Sequence, residues 1–274
     1  MPNSGLAGKV AIVTGAGSRA EGIGNGRAAA ILLAREGAKV LLVDSFPDRA
    51  RATKDMIDAE GHTSMVVATD VTKSADCAAA VAKAVEAWGR VDVLVNNVGI
   101  VGPSGNAVET DADAWDEAMR VNVVSMMLMA KFAIPHMRAA GGGAIINISS
   151  IDGMRGSNPN LFYSTSKGAI INMTRSMAAH HGPEGIRVNC IAPGFVYTPI
   201  VYARTGGLSP ELRQARINNS LLQVEGTGWD VGNAVVYLAS EQSRWVTGIT
   251  LPVDAGTTAG TLLNTTPTGH HTQQ

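Results

Sequence analysis

The chain has 274 residues, 45% of them hydrophobic and 16% charged, which is enough apolar material for one large buried core. Lysines and arginines number 22 against 23 aspartates and glutamates, and the net charge of −1 gives no electrostatic reason to expect nucleic acid or an anionic membrane as partner. Two cysteines, Cys77 and Cys190, make no disulfide framework and no zinc-ligand spacing occurs, so reduced thiols and no metal are expected; His270-His271 is too little to imply a site. Met1–Gly8 is short and polar, unlike a signal peptide, and the apolar segments are interrupted before membrane-spanning length. A soluble cytoplasmic protein is the expectation.

In chain order, residues 9–14 (Lys-Val-Ala-Ile-Val-Thr) form an apolar run with the character of a buried parallel strand. Gly15, Gly17, Gly22, Gly24 and Gly26 follow, then an alanine- and leucine-rich helix to Glu36, with Gly37 where a C-cap belongs. A second strand, 39–43, ends at Asp44. Strand, glycine turn, helix, strand and acid are the parts of a dinucleotide site: glycines let the backbone approach a pyrophosphate, the helix start offers free N–H groups, and the acid binds a ribose diol. Asp44 would accept from a 2′-hydroxyl and repel a 2′-phosphate, favouring NAD over NADP, whereas Arg19 in the glycine loop argues for a phosphate. The cluster Arg49, Arg51 and Lys54 has the character of a solvated helix face.

Beyond it, strand-like runs at 64–69, 91–95, 143–149, 186–191 and 249–253 alternate with helical runs near 47–60, 74–88, 112–140, 162–181 and 229–239. The alternation implies an α/β fold with one doubly wound parallel sheet, helices on both faces and ligands at the carboxyl ends of the strands. The domain is expected over residues 1–257, with 258–274 as a frayed Thr- and Gly-rich tail. Residues 194–228 break the rhythm with prolines, glycines and polar runs, the character of an irregular lid over a binding site. Met126, Met127, Met129, Ile170, Ile171 and Met173 give the 112–140 and 162–181 helices more apolar surface than one stripe needs, which invites a partner subunit.

Tyr163 and Lys167 stand one helical turn apart, so the ammonium can lie beneath the phenol. A tyrosine pKa of about 10 brought to about 7 takes roughly 4 kcal/mol of preferential phenolate stabilisation, part of which a fixed cation supplies. Ser150 lies thirteen residues upstream of Tyr163, in Asn147-Ile-Ser-Ser150.

With these motifs in place, the chain resembles a short-chain dehydrogenase/reductase over residues 7–256. The resemblance rests on Thr14-Gly15 through Gly22-Ile23-Gly24, Asp70-Val71, Asn96-Asn97-Val98-Gly99, Asn122, Ser150, Tyr163, Lys167, and Pro193-Gly194 with Thr198. Two departures stand out: the glycine loop is three residues longer than that pattern, bulging at Ser18–Glu21, and Val98 replaces the usual alanine. The resemblance implies a Rossmann-type fold and a catalytic set of Ser150, Tyr163, Lys167 and Asn122. Tyr163 would move the proton, Lys167 would lower its pKa and hold the nicotinamide ribose, Ser150 would bind the substrate oxygen, and Asn122 would kink a helix and link Lys167 to solvent. For the cofactor it implies Gly15, Gly17, Arg19, Gly22, Ile23 and Gly24 near the pyrophosphate and Asp44 on the ribose. Asp70 and Val71 would flank the adenine, Asn97, Val98 and Gly99 would line the crevice, and Pro193, Gly194, Val196 and Thr198 would stand near the carboxamide. It also implies a homotetramer or homodimer. Plainer roles stay open for Ser150 as a strand end or cap, Asn122 as a cap for a helix starting at Val123, Asp70 as a turn residue and Thr198 as a helix N-cap.

The expected activity is hydride transfer between NAD and a secondary alcohol/ketone pair. Ile100, Val101, Asp152, Met154, Phe162, Phe195 and Tyr202 lie where a substrate would be met and are mostly apolar, which fits a ring or alkyl chain. Asp152 and Arg155 could meet a polar substituent or only tie the loop. The alternatives are a 3-oxoacyl reductase using NADPH, which Asp44 opposes, and a cofactor-binding regulator without turnover, which would be expected to lose one of Ser150, Tyr163 or Lys167.

Overall fold

A computed structural model describes residues 4–156 and 158–262. Seven strands build one sheet: β1 (Val10–Thr14), β2 (Lys39–Asp44), β3 (Ser64–Ala68), β4 (Val93–Asn96), β5 (Gly143–Ile148), β6 (Ile186–Pro193) and β7 (Thr250–Val253). Their order is β3-β2-β1-β4-β5-β6-β7 with every pairing parallel. The central strands are continuous apolar runs because helices cover both faces, and all of Val10–Thr14 is buried. The order reverses direction between the paired strands β1 and β4, whose outgoing connections run to opposite sides, so that a crevice opens at their carboxyl ends.

Helices α1 (Asn25–Arg35) and α9 (Gly228–Ala239) pack one face around Ile31, Leu33, Val231 and Val235. Helices α3 (Ser74–Trp88), α5 (Ser125–Ala139) and α6 (Leu161–His181) cover the other, around Val81, Met129 and Met137. Helix α2 (Pro47–Ala59) flanks β2 and β3. Cys77 and Cys190 are buried free thiols, each pushed up to about 11 chiefly by burial, so both are protonated core side chains at neutral pH.

Four expectations need correction. The run 112–140 is not a plain helix: α4 (Ala112–Met119) passes into a π turn, Arg120–Val124, and then into α5. Asn122 sits inside that turn and caps no helix. The composite span Ala112–Ala139 is also long and apolar enough to cross a membrane by length and composition, contrary to the sequence estimate, but 50% of its most apolar window is buried within the fold, as in a core helix. The lid region is not irregular throughout, since it holds α7 (Pro199–Thr205) and α8 (Pro210–Asn218). Finally, the apolar excess on α5 and α6 is largely internal: Met126, Met129, Ile170 and Ile171 are buried and Met173 packs against them, leaving Met127 exposed.

Part of the expected frayed tail lies on residues 263–274, and His270-His271 with it, outside the described residues. Before that point the chain is held, because Thr258 donates through its N–H (2.8 Å) and its hydroxyl (2.7 Å) to Asp254.

Candidate active site

The carboxyl ends of β1 to β6 open into one cleft of about 820 Å³. At one end, β1 runs into Gly15, whose φ of +63° turns the chain, and α1 begins after Gly24 with no side chain capping it. Gly26 packs directly on that turn, where a Cβ would stand 2.2 Å from the Gly15 carbonyl oxygen and 2.5 Å from Asn97 Nδ2. Asn97 fixes the turn from β4 by donating to the carbonyls of Thr14 (3.2 Å) and Gly15 (3.1 Å). Asp44, at the end of β2, accepts the Gly17 N–H at 3.0 Å and the Phe46 N–H at 3.0 Å, so its carboxylate is held at the cleft wall.

This end fits a dinucleotide on features of its own. The Oδ1 of Asn25, in the first turn of α1, is buried without a hydrogen-bond partner, as is the hydroxyl of Thr69 at the end of β3, and both residues line the cleft. Together with the uncapped helix start and the glycine cradle, these are acceptors and donors waiting for a polyhydroxylated, phosphorylated ligand. Residues that would hold it include Gly15, Gly17, Arg19, Gly24, Asp44, Asp70, Val71, Asn97, Val98, Gly99, Pro193, Gly194, Val196 and Thr198, all on the cleft wall. Thr198 occupies the N-cap position of α7 but makes no capping bond, and Asp70 also serves as a turn residue, accepting from Thr72 N–H (3.0 Å) and hydroxyl (2.7 Å).

Gly22 and Ile23 do not line the cleft. The longer glycine loop folds back, and Arg27 donates to Gly22 O (2.6 Å) and Thr53 Oγ1 (3.0 Å), while the Tyr202 phenol of α7 donates to Glu21 O. Gly22 has φ +113°, and a Cβ there would stand 2.2 Å from the Tyr202 oxygen. Tyr202 is therefore a lid-to-loop contact and no substrate residue. The bulge at Ser18–Glu21 has a counterpart in the lid, which the sequence alone does not pair with it.

At the other end, β5 leads to Ser149 and Ser150. Ser149 Oγ donates to Lys167 O at 2.7 Å, tying the strand end to α6. Ser150 Oγ accepts the Asp152 N–H at 3.2 Å, capping a short 3₁₀ turn, and stands near enough to the Tyr163 phenol to act on it. The cap and the contact to Tyr163 coexist. Burial leads in raising the Tyr163 pKa; the Ser150 contact opposes it and the Asp152 charge adds to it, and the net direction is up. Tyr163 thus holds its proton at neutral pH. Lys167 does not reverse this net direction in the protein alone. The ammonium is 5.8 Å from the phenol ring centroid, donates to Ile148 O at 3.2 Å, and is itself pushed down to about 8 by burial.

The Lys167 shift carries a stability signature. From about 8 up to the ordinary 10.5, the unfolded chain holds a proton that the folded chain has released, so this group makes stability rise with pH across that window. Relative to Lys167→Met, which cannot titrate, the wild type is expected to gain roughly 3 kcal/mol between pH 7 and pH 10. Guanidinium unfolding at both pH values checks this, and a pH-independent difference would contradict it.

Asn122 is buried beneath the site and off the cleft wall. Its Oδ1 accepts the Ile100 N–H (2.8 Å) and its Nδ2 donates to Ile100 O (2.9 Å) and Ser166 Oγ (3.1 Å). The π turn points its carboxamide at the loop after β4, so Asn122 positions Ile100 and α6. Of the substrate candidates, Ile100, Val101, Asp152 and Phe195 line the cleft. Met154 is exposed and off the cleft; Phe162 is core, edge-on to Trp115 at 5.2 Å; Arg155 does not reach the cleft. Cleft residues that the sequence reading lacks include Thr69, Ile200, Val201, Leu208, Arg49 and Arg216. Arg49 departs from its cluster: Arg51 pairs with Asp48 and Lys54 with Asp58, but Arg49 is half-buried with its guanidinium 3.9 Å from the Phe46 ring centroid.

Known proteins resemble this chain over nearly all of its length. A family model described as enoyl-(acyl carrier protein) reductase matches residues 17–258. The cis-4-hydroxycyclohexanecarboxylate dehydrogenase of Sinomonas cyclohexanicum is 39% identical over 254 residues, covering 92% of this chain and 97% of that one. The 2-(S)-hydroxypropyl-CoM dehydrogenase 3 of Xanthobacter autotrophicus is 38% identical over 256 residues, covering 93% and 98%. Among solved structures, a 7α-hydroxysteroid dehydrogenase complexed with NADH and 7-oxo glycochenodeoxycholic acid superposes with a TM-score of 0.85 at 33% identity, covering 93% of this chain and 96% of that one. With these matches running almost end to end through the sheet, the glycine turn and the Ser150–Tyr163–Lys167 wall, the chain belongs to the short-chain dehydrogenase/reductase family, as an NAD(P)-dependent oxidoreductase acting on CH–OH groups.

Proposed function

We propose that this protein is a dehydrogenase that interconverts a secondary alcohol and its ketone with NAD as the preferred cofactor and Tyr163 as the general acid/base. The observation that carries the reading is that the Ser150 hydroxyl and the half-buried Tyr163 phenol share one wall of the cleft, close enough for Ser150 to act on the phenol. Two hydroxyl groups meeting at one point can both engage a single carbonyl oxygen. In reduction the proton passes from Tyr163 Oη to that oxygen while Ser150 donates to it. In oxidation the alcohol proton passes to the phenolate. NAD, when bound, supplies or accepts the hydride, and its oxidised ring carries a positive charge. The Lys167 ammonium and any cation brought beside the phenol favour the phenolate that oxidation needs. The apolar side chains Ile100, Val101, Phe195, Ile200, Val201 and Leu208 support a substrate with a ring or alkyl body, as do relatives named for a hydroxycyclohexane and a hydroxypropyl substrate.

NAD is favoured because the carboxylate of Asp44 is immobilised by two backbone N–H groups where a ribose diol would lie, and a 2′-phosphate there would face an anion. The arginines Arg19 and Arg49 share that wall and are the structural counter-argument. Fluorescence titration is expected to show NADH binding about tenfold or more tighter than NADPH, with Asp44→Ala reducing that ratio. Tighter NADPH binding by the wild type would overturn the NAD preference. A panel of secondary alcohols with NAD at mildly alkaline pH, read at the NADH absorbance, tests the activity itself.

A further inference from the structure

Beyond the wall of Ser150, Tyr163 and Lys167, the substrate end of the cleft is mostly apolar, and two further side chains bring opposite charges to it. Asp152 stands beside the proton-transfer pair. Its charge acts on the Tyr163 phenol, and its Oδ2 accepts from Asn158 Nδ2 at 2.8 Å. The opposite charge comes from the lid. Helix α8 carries Arg213 and Arg216 one turn apart, and they are treated differently. Arg213 makes a two-pronged pair with Glu225 and lies 4.4 Å from the Tyr197 ring centroid, away from the cleft. Arg216 lines the cleft, half-buried, with its guanidinium 5.4 Å from the ring centroid of Phe195, another cleft residue. Among the described residues the Arg216 guanidinium has no hydrogen-bond partner; Glu225 acts on it only at a distance and is already committed to Arg213. Across residues 194–228 three arginines (Arg204, Arg213 and Arg216) stand against two glutamates (Glu211 and Glu225), a net charge of +1, and the Arg216 donors are at the cleft.

A guanidinium held over an aromatic ring, with its N–H fork open, is built to take a carboxylate. We infer that the substrate is a secondary alcohol bearing a carboxylate, and that Arg216 binds this carboxylate at the lid while the hydroxyl-bearing carbon meets Ser150 and Tyr163. This rests on the dehydrogenase reading above. The two fixed charges orient the substrate, because an acid entering the reverse way would bring its carboxylate to Asp152 and leave Arg216 unmatched. Since Arg216 belongs to α8, the same contact ties the lid to the substrate.

The experiment compares matched pairs. The full-length protein with NAD is assayed on 3-hydroxybutyrate and 3-hydroxycyclohexanecarboxylate against their amides. For at least one pair, kcat/KM of the acid is expected to exceed that of the amide by about tenfold or more. Arg216→Gln should bring that ratio close to one and Arg216→Lys should restore part of it. In parallel, cyclohexanecarboxylate, which has no hydroxyl to oxidise, is titrated calorimetrically into the protein with NADH present. Its binding should weaken about tenfold in Arg216→Gln, while cyclohexanecarboxamide should bind the two forms alike. Amides oxidised as well as acids by the wild type, or an acid preference that survives Arg216→Gln, would overturn the inference. If no alcohol is oxidised, the titration decides alone: carboxylate binding that Arg216→Gln weakens upholds the subsite while the dehydrogenase reading falls, and absent or unaltered binding removes the subsite.

Discussion

Replacing Tyr163 by phenylalanine is expected to lower kcat for alcohol oxidation by about a thousandfold while leaving NADH affinity within a few-fold of wild type. The size follows from what the residue does. Positioned acid–base groups contribute about 10² to 10⁴ in rate, and Tyr163 is the titratable side chain of the cleft wall on which Ser150 acts. Asp152 is close enough to act on the phenol electrostatically, but it raises the pKa of Tyr163 and so keeps the proton there. The selectivity of the effect is the informative part. A phenyl ring keeps the shape of α6 and the packing at the wall, so a variant that lost cofactor binding along with turnover would mean a collapsed site and not a missing proton. The pH profile adds a second readout: with Tyr163 held protonated by burial, ketone reduction should stay flat through neutrality and decline at alkaline pH, as Lys167 and then the phenol lose their protons.

The second large effect is expected at Gly26. Alanine there would place a Cβ 2.2 Å from the Gly15 carbonyl oxygen, and neither partner can yield, since one is the turn after β1 and the other the first turn of α1. Helix α1 must lift from the strand, taking the free N–H groups of its first turn out of register with the glycine loop. A loss of about 2–3 kcal/mol in folding stability is expected, with NADH affinity falling about a hundredfold. Thermal unfolding and fluorescence titration measure the two separately. Unchanged NADH binding in Gly26→Ala would show that the cradle does not hold the dinucleotide.

The contrast between these sites and the lid shows what kind of information the sequence carries. The sheet is legible because a buried parallel strand must be an uninterrupted apolar run, and each of the seven runs in fact became a strand within a few residues of its predicted ends. Asp44, Ser150 and Tyr163 are legible because strand ends and a helical turn fix where a side chain points. The π turn at Arg120–Val124 is not, since one extra residue in a turn leaves the apolar pattern on either side intact. Helix α8 gives only a start signal, Ser209 before Pro210, where Ser209 Oγ accepts the Leu212 N–H at 3.3 Å. It buries no residue fully, so no periodicity marks it, and the cleft-facing role of Arg216 depends on a lid orientation that only tertiary contacts set. Tyr202 fails as a substrate residue for the same reason: its partner, Glu21 O, lies 181 residues away on the bulged glycine loop. Helical spacing gives the adjacency of Lys167 and Tyr163 but not the burial, which sets the net upward direction at the phenol in the protein alone.

The most direct test of the central claim is a crystal structure of the protein with NADH and cyclohexanone. The account predicts the ketone oxygen within about 2.6–3.2 Å of both the Tyr163 and the Ser150 hydroxyls. A ketone bound beside the cofactor with its oxygen on neither hydroxyl, or on the backbone or Asp152 instead, would contradict it.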